Sequence, residues 1–307
     1  MIGLNSLSDL TKTIRKSDLV YIAEGNISIN LICAFSRLIY GTKVVRGYHN
    51  PIHYTIMPNG RKIGQISITR VYELINLLVQ RLFTAIHVEN TDQQKILIKY
   101  GFKKVYVVPP FIKHELFTPS EKKQNFTCLF LSRLNYHKGS DLIPEIVRRA
   151  MLDIPGISVI IAGNGLMSDE IREFANGYSN VEYMGYTDDD TRARLYSTSH
   201  VLLAPTRVEA FMLTGIEAMA SGTPVISFHV PGPNDYIRDG ENGFLVNNVD
   251  EMVYAISEVF RRYKSEEYFL IVKGAIETSK LYSRENFIVK MKAMIAEILG
   301  LEPTFSW

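Results

Sequence analysis

Four charged side chains stand at spacings that suit the handling of an anion. Arg133 and Lys138 lie five positions apart in Ser132-Arg133-Leu134-Asn135-Tyr136-His137-Lys138-Gly139, and Glu209 and Glu217 lie eight apart. An Arg forks onto phosphate oxygens and a Lys adds a point charge, so the first pair suits the two phosphates of a diphosphate. Negative charge building on a leaving group would be stabilised there. Solvated loop cations are the other reading of the same pair. Glu209 precedes an apolar helical pattern and can accept hydrogen bonds from sugar hydroxyls, while Glu217, inside that pattern, suits a ribose diol. The free amides around 211–214 would open the helix and form an anion site. Thr214-Gly215-Ile216-Glu217 also fits a capping box, in which the glutamate only satisfies the helix start, and Glu209 also reads as a solvated loop acid. Gly163-Asn164-Gly165 is a turn that allows close backbone approach, or an ordinary strand-to-helix connection.

Positioning these residues requires strands that end where the loops begin. Short apolar runs alternate with helical periodicity, the pattern of β-α units and a parallel sheet. In the first part, strands are predicted at 19–23, 43–46, 85–88 and 105–108, with helices at 28–39 and 70–83. In the second, strands are predicted at 127–131, 158–162, 181–183, 200–204 and 224–227. Helices are predicted there at 141–150, 169–176, 188–197, 214–221, 249–263 and 267–280, with a closing helix at 284–299. The three candidate loops all follow strands, where ligands of doubly wound sheets sit. Asp188-Asp189-Asp190 resembles a metal-binding acidic motif, but it opens a helix, where acids complement the macrodipole. The histidines show no ligand spacing, so no metal site is expected.

A chain of 307 residues implies two domains, and 46% hydrophobic against 21% charged residues supplies apolar material for two cores. The polar stretch 118–125 after Pro109-Pro110 is the linker candidate, which sets domains at 1–118 and 119–283, with 284–307 as a closing segment. Cys33 and Cys128 are too few for a disulfide framework, a reducing compartment is implied, and Met1 to Leu10 has no secretory pattern. No apolar run reaches the roughly 20 residues of a membrane span. A cytoplasmic protein is therefore expected. Residues 1–118 carry 15 basic against 7 acidic groups and the remainder 19 against 25. The basic part suits an anionic surface, such as the inner face of a membrane or an acceptor bearing phosphate, or else is simply a solvated face.

The stretch from Ser132 to about Val246 resembles the family 4 glycosyltransferases, which have the GT-B fold of two Rossmann-like α/β domains facing a cleft. Arg133 and Lys138 match the family's diphosphate-binding Gly-Arg-Leu…Lys-Gly pattern, with Ser132 in place of its glycine. Gly163-Asn164-Gly165 matches its Gly-(Asp/Asn)-Gly turn, and Val181-Glu182-Tyr183-Met184-Gly185 its strand before the base-contacting loop, which opens at Tyr186. Glu209 and Glu217 match Glu-x7-Glu, followed by Glu-Ala-Met-Ala-x-Gly-x-Pro-Val-Ile through Ile226. Gly232 and Asp239-Gly240-Glu241-Asn242-Gly243-Phe244-Leu245-Val246 complete it. The resemblance implies a retaining transferase that needs no metal and uses a nucleotide diphosphate sugar as donor. It implies that Arg133 and Lys138 stabilise the diphosphate and that Glu209 binds the donor sugar beside Phe211, Met212 and Leu213. Glu217 would bind the ribose. The acceptor is left open among glycan, lipid and protein, and no nucleic-acid partner is expected.

Three departures stand out. The family's Gly-Phe-Gly after the first glutamate is Ala210-Phe211-Met212 here, and its Pro-Asn-Gly hinge is Pro109-Pro110-Phe111. Ser17 to Ile22 and Val44 to His49 resemble two strands of the family's first domain, with His49 as the cleft histidine. The family's earlier strands have no counterpart ahead of Ser17, so a shortened first domain is expected. The alternative reading is a non-catalytic nucleotide-sugar-binding subunit that needs a partner chain; a nucleotide-sugar epimerase fits the Glu-x7-Glu segment less well.

Overall fold

The computed structural model describes residues 7–23, 27–50, 75 and 78–302. The chain divides into two compact units, residues 1–109 with 287–307, and residues 110–286. The first contains α1 (Leu7–Arg15), β1 (Leu19–Ile22), α2 (Ile27–Tyr40), β2 (Lys43–Tyr48), β3 (Ala85–Val88), α3 (Thr91–Lys99) and β4 (Val105–Val107). Its strands form one parallel sheet in the order β1-β2-β3-β4. Ile14, Cys33, Ala34, Val44, Ile86 and Leu97 are buried together on one side.

The second unit holds β5 (Thr127–Leu131), α4 (Ile143–Asp153), β6 (Ser158–Ala162), α5 (Ser168–Asn176), β7 (Val181–Gly185), α6 (Asp189–Thr198) and β8 (Val201–Ala204). After these come α7 (Leu213–Ala220), β9 (Val225–Phe228), α8 (Pro233–Tyr236), β10 (Gly243–Val246), α9 (Val249–Arg262) and α10 (Glu266–Lys280). Its six strands are parallel in the order β10-β9-β8-β5-β6-β7. Strands buried on both faces read as continuous apolar runs, and period-2 alternation divides them between two layers. Cys128, Phe130, Val159, Ile161, Val201 and Leu203 face one core with α4, α5 and α9. Leu129, Leu131, Ile160, Ala162, Leu202 and Ala204 face the other with α6, α7 and α10.

The closing helix α11 (Arg284–Leu299) groups, from Phe287 onward, with the first unit. Its Met294 and Ile298 are buried against Val45, Ala85 and Val108, on the layer opposite α2.

The strands expected at 85–88, 127–131 and 158–162 and the helix at 284–299 have the expected bounds, and other shared elements differ by a few residues at their ends. α1, α3, the short α8 and β10 were not expected. Half of the helix expected over 70–83 lies outside the described residues, and of the rest 75 and 78–80 are helical. The division falls at Pro109, ahead of the boundary expected at 118. The reason is packing: Ile112 and Phe117 are buried in the second unit's core, and the Ile112 amide donates to Tyr282 O at 3.1 Å.

Candidate functional site

β5 and β8 are neighbours, yet the chain leaves them in opposite directions, to β6 on one side and β9 on the other. This is the topological switch point, outside whose carboxyl ends doubly wound sheets hold ligands. The loop after β5 carries Arg133 and Lys138, and the loop after β8 carries Glu209. The strand order therefore brings together two stretches that stand far apart in the chain.

The first loop is built locally. Asn135 accepts from the Lys138 amide at 3.0 Å and caps the single 3-10 turn Tyr136–Lys138. Gly139 then takes φ 74°, and a Cβ there would lie 2.0 Å from Pro205 O, so only glycine lets this loop rest against the next. Lys138 reaches the Glu209 carboxylate, with which it forms a mostly buried ion pair. Thr206 Oγ1 lies 3.2 Å from the same carboxylate oxygen, and the Arg207 amide donates to His137 O at 2.8 Å. The Arg207 guanidinium donates to both oxygens of Asp141 at 2.7 Å and to Tyr136 O at 2.6 Å. Its pKa is raised, chiefly by the hydrogen bonds to Asp141. Arg133, in the same loop, is exposed.

The glycines of Gly163-Asn164-Gly165 serve packing between loops. A Cβ on Gly163 would lie 1.8 Å from Ser132 O and one on Gly165 2.2 Å from Leu134 O. The backbone that comes close to this turn is thus the Arg133 loop itself. Asn164 accepts from Tyr183 OH at 3.0 Å. Beside it is an open cavity of about 460 Å³ whose walls include Asn164, Arg172, Tyr183, Gly185 and Tyr186.

Between the two glutamates the chain makes an unusual turn. Ala210, Phe211 and Met212 are all buried, and Phe211 packs its ring on Tyr236 and Tyr282, with centroids 5.5 and 5.1 Å away. Phe211 and Met212 thus turn their side chains into the protein. Met212 sits at φ 69°, ψ 71°, the one non-glycine residue in left-handed backbone among the described residues. That conformation costs about 1–2 kcal/mol for a residue with a Cβ. Tyr236 holds the turn by donating to Met212 O at 3.2 Å, and a Cβ on Gly232 would collide with Phe211 Cα at 2.7 Å.

Glu217 is not part of a capping box. α7 starts at Leu213 with Met212 in the cap position and no side-chain cap, so Thr214 is already inside the helix. The Glu217 carboxylate instead accepts from Tyr196 OH at 3.2 Å and lies 3.5 Å from Arg192 Nε. Burial raises its pKa, and the Arg192 charge and the Tyr196 hydroxyl oppose that rise.

His49 belongs to the first unit, at the end of β2, where it meets Tyr21 and Glu89. Asp188 caps α6 by accepting from the Thr191 amide at 2.9 Å, and Asp189 pairs with Arg192 at 3.1 Å, as acids at a helix start do. Among the described residues no three His, Cys, Asp or Glu side chains are grouped as metal ligands, and no helix is long and apolar enough to cross a membrane. Sequence reading missed Arg207, Asp141, Thr206, Tyr196 and Arg192. Arg207 alone carried a signal, as a charged residue inside the Glu209 loop.

Residues 125–262 match the family of glycosyl transferases group 1. The chain is 29% identical over 236 residues to the D-inositol 3-phosphate glycosyltransferase of Mycobacterium marinum, covering 69% of this chain and 50% of that protein. It is 26% identical over 212 residues to the UDP-N-acetylglucosamine–peptide N-acetylglucosaminyltransferase GtfA subunit of Streptococcus pneumoniae, covering 66% and 42%. The chain thus spans about half the length of the curated relatives it matches. Pneumococcal GtfA solved with UDP and GlcNAc superposes with a TM-score of 0.72 at 20% identity, over 94% of this chain and 59% of that one. Anabaena HepE solved with UDP gives 0.75 at 18% identity, over 95% and 81%. The fold is that of the GT-B glycosyltransferases.

Proposed function

We propose, from the match of residues 125–262 to the glycosyl transferases group 1 family, that this chain transfers a sugar from a nucleotide diphosphate to an acceptor hydroxyl, with retention of configuration and without a metal. The observation that carries the reading is the meeting of Lys138 and Glu209 at the switch point, ahead of the amide end of α7. The donor diphosphate would lie against Arg133, Lys138 and the α7 amides, so that the charge developing on its leaving oxygen meets fixed cations and dipoles. Glu209 would hold the sugar hydroxyls and Glu217 the ribose. The bond from the anomeric carbon to the β-phosphate oxygen breaks as the bond to the acceptor oxygen forms on the same face. The departing phosphate takes the acceptor's proton, so no side chain need act as base.

UDP in the GtfA and HepE structures makes a uridine diphosphate sugar the first donor to try. D-inositol 3-phosphate and peptides, which appear in the names of two relatives, are the first acceptors to try. The test is release of nucleoside diphosphate from a panel of nucleotide sugars, UDP-N-acetylglucosamine first, with and without acceptors. A chain that binds a nucleotide sugar and never releases diphosphate with any acceptor would overturn the proposal.

A further inference from the structure

A chain of hydrogen bonds at the carboxyl ends of the first unit's strands fixes where its protons are. His87, buried on β3, faces Val108 O with Nε2 at 2.7 Å and Tyr21 OH with Nδ1 at 2.5 Å. Tyr21 OH also faces His49 Nε2 at 3.1 Å, and His49 Nδ1 faces the Glu89 carboxylate at 2.9 Å. A carbonyl oxygen and an ionised carboxylate only accept, so His87 Nε2 and His49 Nδ1 each carry a hydrogen. Tyr21 has a single hydrogen for two ring nitrogens; it donates to one and must accept from the other. All four contacts are therefore satisfied only when one of the two imidazoles is doubly protonated.

Surroundings decide which. Among the described residues His87 has no carboxylate contact, and burial lowers its pKa against the opposing hydrogen bond to Val108 O. His49 lies beside Glu89 and is partly open, with 37% of its side chain exposed. Burial pushes the Tyr21 pKa up to about 12, which keeps its hydrogen in place. We infer that Tyr21, His87 and Glu89 are positioning residues that hold His49 as an imidazolium at the mouth of the first sheet. With both its N–H groups committed to Tyr21 and Glu89, His49 thus offers an incoming ligand a fixed positive charge, fit for a phosphate or other anionic oxygen, and does not serve as a base. Gly47 makes the arrangement possible: a Cβ there would lie 2.2 Å from Tyr21 OH and 2.7 Å from His49 Nε2. Among the described residues, the titratable and charged groups that face the relay are Glu89, Tyr21, His87 and Arg46, whose charge acts on Tyr21.

Nitrogen-15 spectra of the full chain labelled at histidine test this without any assumption about catalysis, with His49 assigned by its loss in His49→Gln. At pH 7.5, both His49 nitrogens should show protonated shifts and His87 a neutral Nε2–H form. Glu89→Gln should return His49 to a neutral form. So should Gly47→Ala, which removes no titratable group; Tyr21→Phe serves if Gly47→Ala does not fold. A neutral His49 in the wild type, a charged His87, or a His49 indifferent to these changes would each overturn the inference. A second readout rests on the transferase proposal: the alkaline limb of diphosphate release should move to lower pH in Glu89→Gln, and an unmoved limb in an active enzyme would count against the role assigned to His49. Without any release, the spectra still decide the charge.

Discussion

Arg207 and Asp141 form a two-pronged ion pair, 2.7 Å at each oxygen, that ties the segment after β5 to the loop after β8. The same guanidinium lies 3.9 Å from the centre of the Tyr136 ring. A lysine reproduces neither the fork nor the stacking. In Arg207→Lys the two loops should part, and donor KM should rise about tenfold with a smaller change in kcat. Stability should move by less than about 1 kcal/mol, because both partners are about a quarter exposed. Steady-state kinetics with a saturating acceptor check this; an unchanged KM would sink it.

Arg133→Ala and Lys138→Ala should each lower kcat by about a hundredfold or more, the usual cost of removing one fixed group from a developing charge. Folding should be retained, which circular dichroism would show. Near-normal sugar transfer by both variants would remove the assigned chemistry.

Met212 sets two effects against each other. Losing its buried side chain costs about 2–5 kcal/mol, while glycine would relieve about 1–2 kcal/mol of left-handed strain. Melting temperatures should therefore fall in the order Met212, Met212→Gly, Met212→Ala, since alanine loses the side chain and keeps the strain. An alanine variant that melts above the glycine one would contradict the backbone described at this turn.

Glu217 should make stability depend on pH in a defined direction. Burial raises its folded pKa above the ordinary value of 4.5. The folded state then binds the proton more tightly than the unfolded state, so stability is lost as pH rises through the window that begins near 4.5. Glu217→Gln removes this loss, and its melting temperature relative to wild type should climb between pH 4 and pH 7. Parallel curves over that range would show the carboxyl to be unshifted. The same variant should weaken nucleotide-sugar binding, measured by loss of ligand-induced stabilisation.

If Arg133, Lys138 and the α7 amides supply the positive charge, diphosphate release should be unchanged by EDTA. Activity lost to the chelator and restored by magnesium would assign part of that charge to a metal.

Much of this arrangement was legible because it is local. The strands 127–131 and 158–162 announce themselves as apolar runs, since both their faces are buried. β10 did not, because it opens at Gly243 straight after the turn residues Asp239 to Asn242. α3 did not either: Gln93 and Gln94 interrupt its apolar spacing, and Gln93 is buried for its hydrogen bond to Asn50 O at 3.0 Å. In the site, Arg133, Lys138, Glu209 and Glu217 stood out by type and spacing. Their partners did not, because Arg207 meets Asp141 across 66 positions and Tyr196 meets Glu217 across 21. Strand order creates those encounters, and no window of sequence contains them. The capping-box reading of Glu217 failed for a related reason: Met212 takes a backbone conformation that its residue type does not announce.

Placing α11 with the first unit has a consequence for how the protein is made. The second unit is continuous in the chain and can fold as soon as it leaves the ribosome. The first unit cannot finish then. Val45, Ala85 and Val108 form an apolar face that stays open until Met294 and Ile298 arrive, after the whole of the second unit has been synthesised. The unit that starts first is therefore completed last, its apolar face covered only when the closing helix arrives.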